Sequence, residues 1–67
     1  MSSGWNPGDR VRVTERNRVE GYQPGDKGTV YRIEVAARCT LYHVTVDKDG
    51  AQATPVLFTA DEIEPDV

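Results

Sequence analysis

The strictest alternation of polar and apolar positions lies near the start of the chain. In Arg10-Val11-Arg12-Val13-Thr14-Glu15 the apolar residues recur at every second position. Successive side chains of a strand point to opposite faces, so Val11 and Val13 share one face and Arg10, Arg12 and Thr14 the other. The pattern predicts a half-buried strand. A second strand is expected from Lys27 to Val35, but its alternation breaks: Val30 falls on one parity, and Tyr31, Ile33 and Val35 on the other. A β-bulge or bend would bring Val30 and Ile33 to one core. Gly28, with no side chain, suits a close backbone approach there. Leu41 to Asp47 predicts a third strand, with Tyr42, Val44 and Val46 on one face and Leu41, His43 and Thr45 on the other. Gln52 to Thr59 predicts a fourth, in which Val56 and Phe58 oppose Leu57. Pro55 has no amide hydrogen to donate, which places it at an edge or a bulge.

Turn residues separate these runs. Residues 16–26 are polar, contain Gly21, Pro24 and Gly25, and read as a long surface loop that only Val19 and Tyr22 can tack down. Ala36 to Cys39 is a short connection. Lys48-Asp49-Gly50 predicts a three-residue hairpin loop closed by Gly50 in the left-handed conformation. Thr59-Ala60-Asp61-Glu62 has the spacing of a capping box before one helical turn, leaving Ile63-Glu64 as a short fifth strand. No window shows helical periodicity over ten or more positions, and no internal repeat is visible. Without a helix to cover it, the sheet must curl to bury Val11, Val13, Val30, Ile33, Val44, Val46, Val56, Phe58 and Ile63.

Composition bounds this picture. The 67 residues make one domain, and a chain of this size hides only about 60% of its unfolded surface. Hydrophobic residues at 37% and charged residues at 28% fit a small globular domain. No run approaches the roughly 18 apolar residues of a spanning helix, so no membrane role is expected. Met1 to Trp5 has neither a basic start nor an apolar run, unlike a secretory signal. The single Cys39 cannot form an internal disulfide, which makes a reducing cytoplasm the default. A fold this small leaves little room for a ligand pocket of roughly 300–1,000 Å³. No catalytic set, metal site or cofactor is expected. His43 and Cys39, the one residue of each type, follow no ligand spacing.

Charge is uneven. Residues 1–38 carry seven basic and five acidic side chains, and residues 39–67 one basic (Lys48) and six acidic, within a total of −3. Arg10 and Arg12 alternate on the exposed face of the first strand. Arg32 can join them across the second, and with Arg16 and Arg18 in the loop they form a candidate stripe for phosphates or an acidic protein surface. Tyr22 is the remaining candidate contact, as part of an apolar patch with Tyr31 or as a pin for the loop; Trp5 is expected to cover the open end of the sheet. Asp61, Glu62, Glu64 and Asp66 form an acidic end that either docks a basic partner or rims the helical turn.

Five strands, a long first loop, a tight third hairpin and a helical turn before the last strand resemble an SH3-like barrel, an all-β fold, over residues 6–65. Residues 1–5 are then a flexible N-terminus and 66–67 a tail. Within that class, Gly8-Asp9-Arg10-Val11-Arg12-Val13, Gly28-Thr29-Val30 and Phe58-Thr59-Ala60-Asp61-Glu62-Ile63-Glu64 resemble the small electron-transport accessory proteins, namely the E subunit of photosystem I and the variable chain of ferredoxin–thioredoxin reductase. The β subunit of nitrile hydratase has the same barrel. The resemblance implies a non-catalytic accessory module that docks on a larger protein partner. The chain itself is expected as a monomer or as a weak homodimer through an unpaired strand edge. A second resemblance, to KOW domains, implies nucleic-acid binding through the arginine face. The acidic total and the acidic residues Glu15, Glu20 and Asp26 between the first two strands count against it.

Overall fold

The computed structural model describes residues 4–50 and 52–66. Five strands form one antiparallel sheet: β1 (Arg10–Val13), β2 (Lys27–Val35), β3 (Thr40–Val46), β4 (Val56–Thr59) and β5 (Ile63–Pro65). Their order across the sheet is β4-β3-β2-β1-β5. A 3₁₀ turn at Asp47–Asp49 follows β3, and a second at Ala60–Glu62 links β4 to β5. The fold is therefore all-β, as the alternation predicts.

The barrel expectation needs correction, because the sheet is not closed. β4 pairs only with β3, and β5 only with β1, so both are edges. The groups that would join them are used otherwise. The Thr59 N–H donates to Glu62 Oε1 at 2.9 Å, and Pro65 has no N–H to donate. The sheet is nonetheless strongly curled. Laid flat, its edges would stand about 19 Å apart, at about 4.8 Å per strand. The second 3₁₀ turn spans three residues and advances only about 6 Å. A chain that passes from one edge to the other through that turn must fold the sheet over its own inner face.

That inner face is the core. Val11, Val13, Val30, Tyr42, Val44, Val46, Phe58 and Ile63 are buried. Ile33 and Val56, expected with them, are half-buried against the cluster, and Tyr42 joins it. The bulge falls where the alternation breaks. Val30 pairs with Val44 and Arg32 with His43, so Tyr31 is the extra residue. Gly28 pairs with Val11 on one side and Val46 on the other. A Cβ on it would lie 2.6 Å from the Thr45 carbonyl oxygen and 2.7 Å from Val44 Cγ1, so only glycine allows the strands to approach this closely.

Two boundaries differ from the sequence reading. The fourth strand starts at Val56, not Gln52, and the third connection covers residues 47–55 instead of a three-residue loop. Pro55 is the reason at the strand end, since it cannot donate to a ladder. Gly50 has a positive φ as expected, but its φ/ψ of 87°/164° lies in a region open essentially to glycine alone, not in the left-handed helical one. At the ends, Trp5 stacks edge-on against Tyr42 with ring centroids 5.1 Å apart, covering the core as expected. Asp66 donates its N–H to the Arg10 carbonyl. Residues 1–3 of the expected flexible segment and Val67 of the tail lie outside the described residues.

Candidate functional site: the tethered β1–β2 loop and its groove

The segment from Thr14 to Asp26 has no regular structure, yet it is tied down along its length. Its inner ties are local. The Asn17 side-chain amide donates to the carbonyls of Val19 and Tyr22, each at 3.0 Å, and Asn17 Oδ1 accepts from the Val19 N–H at 2.9 Å. The Gly25 N–H donates to the Val13 carbonyl at 2.8 Å, and the Val13 N–H to the Asp26 carbonyl at 2.7 Å, which closes the root. Val19 and Tyr22 pack against the core, Tyr22 edge-on to Phe58 at 5.9 Å.

Its outer ties run to the two 3₁₀ turns. At the second turn, Glu62 is the buried charge of the described residues, 4% exposed. Its Oε1 accepts from the Thr59 N–H, as the capping-box spacing predicts, and its Oε2 accepts from the Arg18 N–H in the loop at 2.7 Å. Burial pushes this carboxyl upward, but the hydrogen bonds from the Thr59 and Arg18 amides hold it below its ordinary value. The Arg18 guanidinium reaches Asp61 at 3.3 Å and the Thr59 hydroxyl at 3.2 Å. The Asp61 carboxyl is lowered by the Thr59 hydroxyl first and by Arg18 second. At the first turn, the Tyr22 hydroxyl donates to Asp49, and Lys48 Nζ donates to the Gly21 carbonyl at 2.7 Å and pairs with Asp26 at 2.9 Å. The Asp49 carboxylate raises the Tyr22 hydroxyl pKa, because the bonded proton is harder to lose.

Beside the loop root, an open groove of about 690 Å³ lies between Thr14–Arg16, Pro24–Gly25, Asp61 and Glu64. Its rim carries both signs of charge. Glu15, Arg16 and Glu20 are exposed and have no ion-pair partner among the described residues.

The structure distributes the candidate arginines unevenly. Arg10 makes a two-pronged pair with Asp47 at 2.7 and 3.0 Å. Arg12 pairs with Glu64 at 2.6 Å and stands 3.9 Å from Asp66. Arg18 is held by Asp61. Among the described residues Arg16 has no ion-pair partner at the groove, and Arg32 does not join Arg10 and Arg12. The last β1–β2 pair in that direction is Arg10 with Thr29, and Arg32 lies beyond it, past the bulge and opposite His43. The expected single stripe is thus split, because the bulge re-aims β2 and because Asp47 and the acidic end neutralise its first members. Tyr22 serves as the loop's pin. Much of the acidic end, Glu62, Asp61, Glu64 and Asp66, binds basic groups or amides of the same chain.

His43 bonds Glu34 at 3.0 Å on the outer face, and Cys39 is exposed at the β2–β3 tip. No group of three or more metal-ligating side chains gathers among the described residues, and no helix among them is long and apolar enough to cross a membrane. The residue that sequence reasoning misses as an anchor is Glu62. Its capping-box spacing announces the bond to Thr59, but nothing local announces the bond to Arg18, forty-four positions away. No family model matches the chain, and neither does any curated protein or solved structure.

Proposed function

We propose that the chain is a non-catalytic docking module, an accessory of the kind the first resemblance implies, whose β1–β2 loop and adjoining groove meet a larger protein partner. The observation that carries this reading is the preorganised loop. Thirteen residues without regular structure are fixed by a buried carboxylate, a tyrosine packed on the core and contacts to both 3₁₀ turns. A loop already held in one conformation loses little freedom on binding, and that lowers the entropic cost of association. Glu15 and Arg16 at the rim and Glu20 farther along the loop, without ion-pair partners among the described residues, supply charges of both signs, through which electrostatic complementarity selects a partner. The nucleic-acid alternative draws less support, since Arg10, Arg12 and Arg18 already face carboxylates of this chain.

The test uses the intact chain and its Arg16→Glu and Glu20→Arg variants as bait in native lysate under several growth conditions. A protein held stoichiometrically by the parent chain and released by the reversals supports the reading. Recovery of chaperones only, or equal recovery by all three baits, overturns it.

A further inference from the structure

Among the described residues, no strand pairs with the upper half of β2 on the side that β1 occupies lower down. The seam on that side ends at Val30, whose N–H donates to the Asp9 carbonyl at 2.9 Å and whose carbonyl accepts from the Gly8 N–H at 2.8 Å. Past the bulge, β2 pairs only with β3. The Ala36 N–H donates to the Cys39 carbonyl, so the amides of Ala36, Glu34 and Arg32 face β3. Alternation then turns the N–H and C=O groups of Ile33 and Val35 outward, and no strand among the described residues receives them. Two of the exposed large hydrophobic residues, Tyr31 at 63% and Val35 at 81%, flank this segment.

Arg32-Ile33-Glu34 is its own antiparallel complement. About a two-fold axis through Ile33, Arg32 of each copy falls opposite Glu34 of the other and Ile33 faces Ile33; Tyr31, the bulge residue, lies outside this register. Opposite charges facing across a strand seam stabilise it, and like charges destabilise it. The Ile33 pair exchanges both of its N–H···O=C bonds. We propose that this edge pairs with the same edge of a second copy of the chain, joining two sheets through β2. The pairing does not depend on any larger partner. Its contact is one short strand, which puts it among weak, reversible associations.

Sedimentation equilibrium of the intact chain from about 10 µM to about 1 mM spans the range expected for so small an interface. The chain is expected to dimerise, with the Ile33 and Val35 amides gaining protection from hydrogen exchange as concentration rises. Arg32→Glu or Glu34→Arg alone sets like charges opposite each other twice and weakens association by at least about tenfold. The two singly changed chains mixed together form a heterodimer, because both pairs across the seam then join opposite charges. The double swap, R32E with E34R, restores the homodimer and shows that the single variants fail through charge and not through misfolding. A parent chain monomeric throughout overturns the proposal and makes Arg32 and Glu34 guards of a bare edge. Dimers indifferent to the single reversals, or a mixture that fails to associate, overturn it equally.

Discussion

The β1–β2 loop and the β2–β3 hairpin end are both excursions from the same sheet, and they are held in opposite ways. Residues 14–26 have no ladder, yet they are bound by the buried Glu62, by Tyr22 on Phe58 and by Lys48. Residues 32–35 pair with 40–43 in a regular ladder, yet β4 flanks β3 only as far as Leu41, so the end from Val35 to Thr40 extends past it, and Val35 is 81% exposed. Regular hydrogen bonding and anchorage to the body are therefore separate properties here. The loop is ordered by side chains reaching into it from distant positions. Past Leu41, where the pairing with β4 stops, the hairpin end has only its own two strands among the described residues, and a two-stranded ribbon alone is marginal in water.

The largest effect is expected from removing the anchor. Glu62→Ala leaves the Arg18 and Thr59 amides without an acceptor in a buried place, at a cost of about 2–4 kcal/mol. That is a large share of the stability of so small a domain. Urea titration measures the loss. Amide exchange should show the loop opening while the β2–β3 amides keep their relative protection. Equal loosening of both regions would break the comparison.

Gly28→Ala acts between the two regions. Its Cβ would meet backbone at 2.6 Å, contact that cannot be relieved by turning a side chain, so a cost of about 1–3 kcal/mol is expected. Because Gly28 pairs with both Val11 and Val46, the loss is shared by both halves of the sheet. Thermal melting of the variant checks the size, and exchange checks that loop and hairpin weaken together.

Acidification separates the regions by chemistry. The Glu62 carboxyl is held below its ordinary value of 4.5, and Asp61 is likewise lowered. A carboxyl lowered by folding contributes stability that is complete above its unfolded pKa and is lost as pH falls through the folded value. Stability should thus be flat near neutrality and decline below about pH 4.5. The Arg18 and Val19 amides should lose protection earlier than those of β3. Denaturant titrations across that range test it, and an unchanged profile in Glu62→Gln would remove Glu62 as the cause.

How much of the molecule is legible in its sequence follows the same division. Features carried by local spacing are readable: the parity break that marks the bulge at Tyr31, the glycine at a close approach, and the Thr59–Glu62 capping box. Features that depend on which distant elements meet are not. Nothing in Arg10 or Arg12 announces that Asp47 and Glu64 neutralise them. The arginine stripe extends strand parity through a bulge that cancels it. Pro55 is recognisable as unable to join a ladder, yet alternation alone carries the strand through it. The open edge between β4 and β5 depends on where the second 3₁₀ turn directs its hydrogen bonds, which alternation does not encode.

The smallest effect is expected at the hairpin end. Val35→Thr keeps a β-branched residue in a strand, so local propensity changes little. At 81% exposure, Val35 buries almost no apolar surface against the body, and the change should stay within about 0.5 kcal/mol. The informative reading is the contrast with the loop. Val19, half-buried against the core, is an apolar residue in a segment without regular structure. Val19→Thr places a hydroxyl where a methyl packs and should cost more than the same change inside the strand. Melting temperatures of the two variants, measured side by side, decide it. A larger loss at Val35 would mean that the ladder, and not the side-chain ties, sets local stability in this molecule.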